Sequence, residues 1–152
     1  MDRKDAAPMT VLYARQELTI PQVGMYAERY GTQMMEDVEQ YGLQVVGPWM
    51  FIAYDLPTDG QQRFTSEFCL PIGNAETYAG DRFAVKALGS FPCACAEYSG
   101  KLDQLFAEGY QPLIREIVAA GLQFTGESRE IYHRWAGANA PENRIEIQFG
   151  VA

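Results

Sequence analysis

The sequence predicts an α+β fold. It is read as two tandem strand–helix–strand–strand modules that build a curved antiparallel sheet, with helices on one face and the other face open as a groove. Three observations predict it. First, sliding the chain by 79 positions lays Gly42-Leu43-Gln44-Val45-Val46-Gly47 on Gly121-Leu122-Gln123-Phe124-Thr125-Gly126. The alignment continues ungapped to Gly73 on Ala152, with six identities in 32 pairs, Ile52 on Ile131 and Glu67 on Glu146 among them. Second, each copy carries an apolar stripe at intervals of three and four, the spacing of one helix face. Third, the segments after each stripe alternate apolar and polar, the period of a half-buried strand. A repeat of about 75 residues is longer than the solenoid periods, so a pseudo-two-fold domain is expected rather than an array.

Each element has a local reason. Residues 1–8 are polar and are expected as a frayed tail; 9–73, 74–81 and 82–152 follow as first repeat, connector and second repeat of a single domain. Val11 to Glu17 reads as a strand. Val23, Tyr26, Tyr30, Met34 and Val38 form the first helical stripe. Pro21 suits its first turn, and Gly42 suits the left-handed position past its end. Trp49–Leu56 and Phe64–Ile72 read as two strands around a turn at Asp59-Gly60. In the second copy, Phe83 to Tyr98 is the β-type segment. Leu102, Leu105, Phe106, Leu113, Ile114 and Ile117 make the helical stripe, closed by Gly121, with a kink or restart expected at Pro112. Ser128–Trp135 and Arg144–Val151 are the closing strands, turned at Gly137-Ala138-Asn139.

Alternation then divides the faces. Ser66, Phe68, Leu70 and Ile72 match Ile145, Ile147, Phe149 and Val151, and this row is expected to pack on the helices. Thr65, Glu67, Cys69 and Pro71 match Arg144, Glu146, Gln148 and Gly150 on the opposite side. In the middle strands, Ile52 and Ile131 are taken to mark the helix side. On that phase Phe51 and Ala53 in one copy, and Glu130 and Tyr132 in the other, join the open face beside Glu67, Cys69, Glu146 and Gln148, with Trp49 near them. His133, the single histidine, is then expected on the helix side.

Composition narrows the function classes. The 152 residues carry 20 acidic against 12 basic side chains, a formal charge of −8. A phosphate-backbone partner needs clustered Lys and Arg, so no direct nucleic-acid partner is expected. No apolar run approaches the ~20 residues of a membrane span, and no membrane partner is expected. The polar Met1-Asp2-Arg3-Lys4-Asp5 leads into no signal-peptide core. Three cysteines make no disulfide framework, and a cytoplasmic location follows as an expectation. Cys93-x-Cys95 lacks the spacing of a zinc loop, and one histidine offers no pair, so no metal is expected. Phosphate loops, nucleophile elbows and dinucleotide fingerprints are absent, so no cofactor is expected either.

Three segments carry a family likeness. Gly47-Pro48-Trp49-Met50-Phe51-Ile52 resembles the Gly-Pro-Pro-Phe-x-x-Tyr segment of the GyrI-like effector-binding domains of AraC-type and multidrug-responsive MerR-type activators, with Ala53 where tyrosine is usual. Arg129-Glu130-Ile131-Tyr132 is similar to the family's Arg-Glu-x-Tyr. Ile145-Glu146-Ile147 with Val151 resembles its closing segment, with Gly150 replacing proline. The likeness spans Val11 to Ala152. It implies a small hydrophobic or amphipathic ligand, partly hydrophobic or cationic, in a groove between the repeats, with Glu130 reaching it. Expected ligand residues are Glu130, Tyr132, Phe51, Trp49, Ala53, Glu67, Cys69, Glu146 and Gln148.

Three functions stay open at this point. The first is a stand-alone binding protein. The second, by likeness to some stand-alone members, is a hydrolase of cyclopropane-bearing or other strained electrophiles, with Glu130 as general base and Tyr132 orienting. The third, by likeness to the family's gyrase-inhibiting namesake, is a protein-interaction role. The haem-binding SOUL proteins share a similar duplicated layout, but a histidine on the helix side argues against haem.

Overall fold

A computed structural model describes all residues from 1 to 152. The chain divides into two compact units, Pro8–Gly89 and the pair of segments Met1–Ala7 and Ser90–Ala152. Strands run β1 Asp2–Ala6, β2 Met9–Leu18, β3 Met50–Tyr54, β4 Phe64–Pro71, β5 Ala84–Leu88, β6 Phe91–Ser99, β7 Phe124–Arg134 and β8 Arg144–Val151. Helices are α1 Val23–Tyr41 and α2 Gln111–Ala119. All the described strand pairs are antiparallel. The α+β class and the duplication read from the sequence are both present.

In the unit Pro8–Gly89 the strand order is β3–β4–β2–β5. α1 ends at Gly42, whose φ of 65° is left-handed and costs a glycine nothing. Its apolar stripe covers one sheet face. Met34 packs with Leu12, Leu70 and Trp49, while Val23, Tyr26 and Tyr30 pack on Leu18, Phe64 and Phe68. Phe51 and Ala53 belong to this same cluster. Buried Asp37 holds the connector by accepting hydrogen bonds from Tyr78 Oη (2.7 Å) and Arg82 Nη2 (2.5 Å). Burial and the adjacent Asp37 push the Tyr78 phenol up to about 12.

In the other unit the order is β1–β6–β8–β7. The helical run opens as a 3-10 turn at Leu102–Gln104, passes through a π turn at Leu105–Tyr110, and restarts as α2 with Pro112 in its first turn. Proline is tolerated there because its missing N–H lies among those a helix start leaves unpaired. The π turn lies close on the sheet at Gly109, where an added Cβ would sit 2.8 Å from Ile147 Cδ1 and 3.2 Å from Tyr98 Cβ.

The duplication is visible bond by bond. Phe51 faces Phe68 and Ile52 faces Glu67; 79 residues on, Glu130 faces Ile147 and Ile131 faces Glu146. Leu43 N–H donates to Val38 O as Leu122 N–H donates to Ile117 O. Gly73 N–H donates to Gln44 O as Ala152 N–H donates to Gln123 O. The first strands repeat at 82 instead, since Arg15 faces Glu67 and Glu97 faces Glu146. The same offset relates β1 to β5. Lys86 faces Val11, and Lys4 faces Cys93.

Residues 1–8 are therefore not a frayed tail. Most of them form β1, the counterpart of β5, and each of these edge strands pairs in the sheet of the other repeat. For the same reason the units divide at Gly89 rather than across 74–81. The expected strand Phe83–Tyr98 is two strands, β5 and β6, interrupted at Gly89-Ser90.

One expectation is overturned. Residues facing each other across an antiparallel ladder share a sheet face. Ile52 therefore lies with Glu67, and Ile131 with Glu146, on the face turned away from the helices. The phase assigned to the middle strands is inverted. It misled because Ile52 is fully buried there, in company with buried Val11, Met50 and Cys69, so an isoleucine marks neither face.

Ile147 lies fully buried on the helix side of β8, against Gly109. Ile147→Ala should lower unfolding stability by about 2–5 kcal/mol in denaturant titrations, the range for a truncated core aliphatic.

Candidate functional site

The corrected phase splits the expected ligand residues into two groups. Phe51, Ala53, Glu130 and Tyr132 share faces with the helix-packed rows, whereas Glu67, Cys69, Glu146 and Gln148 lie on the reverse faces. Trp49 precedes β3 and packs in the α1 cluster. His133 is not on the helix side but reaches Glu146 on the reverse; the argument drawn from its side against haem therefore falls.

Glu130 sits half-buried beneath the π turn. Tyr132, two residues on along β7, donates to Glu130 Oε1 at 2.6 Å. Tyr110, the last residue of the π turn, donates to Glu130 Oε2. Burial raises both phenols well above their usual range, and the Glu130 charge raises them further, so both remain donors. Aromatic rings surround the group. Tyr110 meets Phe149 edge to face at 5.7 Å and stacks on Phe106, and Tyr132 meets Trp135 at 5.5 Å. Phe124 also meets Phe149 edge to face, at 5.5 Å. Phe106, Phe124 and Trp135 are exposed. The carboxylate is thus held by two neutral hydroxyls inside an aromatic wall, without a protein cation on it.

The equivalent place in the other unit has no such group. Position 51 corresponds to 130, and there Phe51 meets Phe68 at 5.0 Å as part of an apolar core. Ala53 corresponds to Tyr132. Only the second repeat has a carboxylate under its helix.

The reverse faces are built differently. Glu67, fully buried, accepts from Lys86 Nζ (2.7 Å) and Tyr54 Oη (2.7 Å) on Oε1 and from Arg15 Nη1 (3.3 Å) on Oε2. Glu146 accepts from Lys4 Nζ (2.6 Å) and Gln148 Nε2 (2.7 Å) on Oε2, and lies 2.8 Å from His133 Nε2 through Oε1. Buried Cys69 offers its thiol to the Glu67 carbonyl. These glutamates anchor edge strands: Lys86 lies on β5 and Lys4 on β1.

Tyr110 escaped the sequence reading, although it continues the stripe Phe106, Tyr110, Leu113, Ile117. Lys4 and Lys86 also escaped it, because their alignment needs the 82-residue offset rather than 79.

No protein-family model matches the sequence, and no curated protein matches it. Solved structures are. EcmrR, in its complex with DNA, matches at 19% identity with a TM-score of 0.79 over 99% of this chain, which spans 56% of the length of that one. SAV2435 bound to tetraphenylphosphonium matches at 13% identity, TM-score 0.72, over 100% of this chain and 94% of its own. A hydrolase from Listeria innocua matches at 12% identity, TM-score 0.66, over 99% and 91%. This chain has the GyrI-like fold. At these identities the likeness carries architecture, and the chemistry rests on the residues above. No helix is long and apolar enough to cross a membrane.

Burial works to raise the Glu67 carboxyl, but hydrogen bonds from Lys86 and Tyr54 outweigh it, and the group lies below its ordinary 4.5. Glu146 lies below 4.5 for the same reasons, with Lys4, Gln148 and His133 opposing its burial. A carboxyl held lower in the folded state than in the unfolded one contributes stability above the unfolded value. That contribution is lost as pH falls through the folded value. The thermal midpoint should therefore decline as pH drops below about 4.5. Glu67→Gln should be less stable than wild type at pH 7, and its midpoint should fall less steeply across the acid range, both read by circular dichroism melts.

Proposed function

We propose that this GyrI-like chain is a small-molecule binding protein of the effector type, and that its ligand is a lipophilic aromatic cation held on Glu130. One observation carries the reading. Glu130 is a carboxylate in an aromatic wall, balanced by two neutral hydroxyls. A half-buried carboxylate pays for lost hydration, and a cation returns more of it than a phenol does. Tyr110, Tyr132, Phe149 and Trp135 supply ring faces that attract the same cation. The tetraphenylphosphonium bound by SAV2435 is of this class. Tyr110 covers one carboxylate oxygen, so the ligand takes the place of the Tyr110 hydroxyl. The binding protein is a soluble, cytoplasmic sensor or sequestering protein on this reading, with any DNA contact made by a partner or by a further domain.

Turnover is the weaker reading, although a structural neighbour is named a hydrolase. Tyr110 and Tyr132 each donate to one oxygen of Glu130, so neither oxygen is open to a water, which suits a charge receptor better than a general base.

Glu130→Gln keeps size and most of the hydrogen bonding, with one phenol turned to accept from the amide, and removes the charge. Isothermal titration with tetraphenylphosphonium should show binding weaker by about 1.5–3 kcal/mol, the scale of a hydrogen bond to a charged group. Triphenylphosphine oxide, neutral and similar in size, should bind wild type and variant alike. Equal losses for the two ligands would remove charge recognition as the role of Glu130 and return the hydrolase reading.

A further inference from the structure

On the reverse face of the same unit, away from Glu130, the two repeats differ in a way that the fold does not require. In the first repeat the buried carboxylate of Glu67 is flanked by Arg15 on β2 and Tyr54 on β3. The register of the second repeat puts Glu97 in the place of Arg15 and His133 in the place of Tyr54, around Glu146. A counter-charge has become a second carboxylate, and a phenol has become an imidazole. His133 is the extra residue of a β-bulge between Tyr132 and Arg134, a device that re-aims a side chain. The first repeat has no bulge at Tyr54.

We infer that Glu97, His133 and Glu146 form a binding site for a divalent metal ion of the zinc class. Their candidate ligand atoms lie within 4.8 Å of one another, one from each of the adjacent strands β6, β8 and β7. One imidazole and two carboxylates are donors that Zn²⁺ accepts, and three protein ligands leave a position for water. Two carboxylates on facing residues repel, and a cation between them relieves the repulsion. Arg144 does not do so, because its Nε stands 4.0 Å from Glu97 with both side chains half-exposed, where an ion pair contributes little.

A second, independent sign lies next to the cluster. Gln148 is 96% buried by its 4% exposure, and its amide donates to Glu146 Oε2. The oxygen of that same amide is buried without a hydrogen-bond partner. Such an acceptor is costly to leave empty, and a water bound to the metal is the donor it lacks. Lys4, on Glu146 Oε2, is the cation the metal must tolerate.

The site is separate from the Glu130 reading and can fail alone. The test is a Zn²⁺ titration of the untagged, chelator-stripped chain by calorimetry, with Co²⁺ absorption as a second readout. Saturable binding of one ion per chain is expected. His133→Ala and Glu97→Ala, both at exposed positions, should each weaken it by at least the roughly 10–100-fold that loss of an outer-shell partner costs. Lys4→Ala should tighten it several-fold, a gain that unfolding cannot mimic. The double variant Cys93→Ser/Cys95→Ser should bind as wild type. Absence of saturable binding, undiminished binding by His133→Ala, weakening by Lys4→Ala, or loss on removal of the two cysteines would each overturn the assignment.

Discussion

The register of two hairpins governs the rest of the molecule. With Phe51 set against Phe68 and Glu130 against Ile147, every side chain of β3, β4, β7 and β8 is committed to one face or the other. A slip by one residue would exchange the faces. It would bring Glu67 and Glu146 under the helices and send Phe68 and Ile147 away from them. The register is fixed from both ends: the helix exits at Gly42 and Gly121 turn the chain into equivalent bridges, Val45 to Ile72 and Phe124 to Val151. The polar clusters also select it, because Glu67 and Glu146 each take a cation from an edge strand, Lys86 of β5 and Lys4 of β1, with Arg15 of β2 adding to Glu67.

On this common frame the repeats have diverged at a few positions, and those positions carry the chemistry. Phe51 and Ala53 close the core beneath α1, while Glu130 and Tyr132 at the matching places put a carboxylate and a phenol beneath the π turn. On the reverse side Arg15 and Tyr54 are matched by Glu97 and His133. In the first repeat Glu67 is saturated by Lys86, Tyr54 and Arg15. In the second, Glu130 meets two neutral hydroxyls, and Glu146 meets Lys4, Gln148 and His133, with Glu97 facing it.

Much of this was legible in the chain. The 79-residue offset, Gly42 and Gly121 as helix stops, and the alternation of Phe64–Ile72 and Arg144–Val151 gave the class, the order of elements and the helix-packed rows. Alternation within one strand is a local property and reads well. The phase between strands is not local: it depends on which residues pair, and Ile52 and Ile131 could not report it because both sheet faces bury apolar side chains. The site residues inherited that error. Glu130 and Tyr132 were read as neighbours and are neighbours, but the wall they share is the helix side with Tyr110, not the face of Glu67 and Glu146. β1 was hidden by composition, since a strand of Asp, Arg, Lys, Asp and Ala has no apolar row; Lys4 matching Lys86 was its one signal.

The π turn is where fold and chemistry meet. α1 runs unbroken for 19 residues over a sheet face made of Phe51, Phe68 and Leu70, which apolar side chains can cover at normal helical spacing. The second helix must cover Ile147 and Phe149 and also reach Glu130. Gly109 lets the backbone lie close against Ile147, where a β-carbon would collide. The wider π turn then delivers Tyr110 to the carboxylate one residue later. Such turns pair fewer backbone groups well than an α-helix does and are frequent at functional sites. Here the cost is met by the Tyr110 hydrogen bond to Glu130 and the ring contacts of Tyr110 with Phe106 and Phe149. On the proposed reading, a ligand that satisfied Glu130 better would remove one of those compensations. The segment Leu105–Tyr110 would then be the part of the unit most directly coupled to occupancy of Glu130, and the continuous α1 has no counterpart to it.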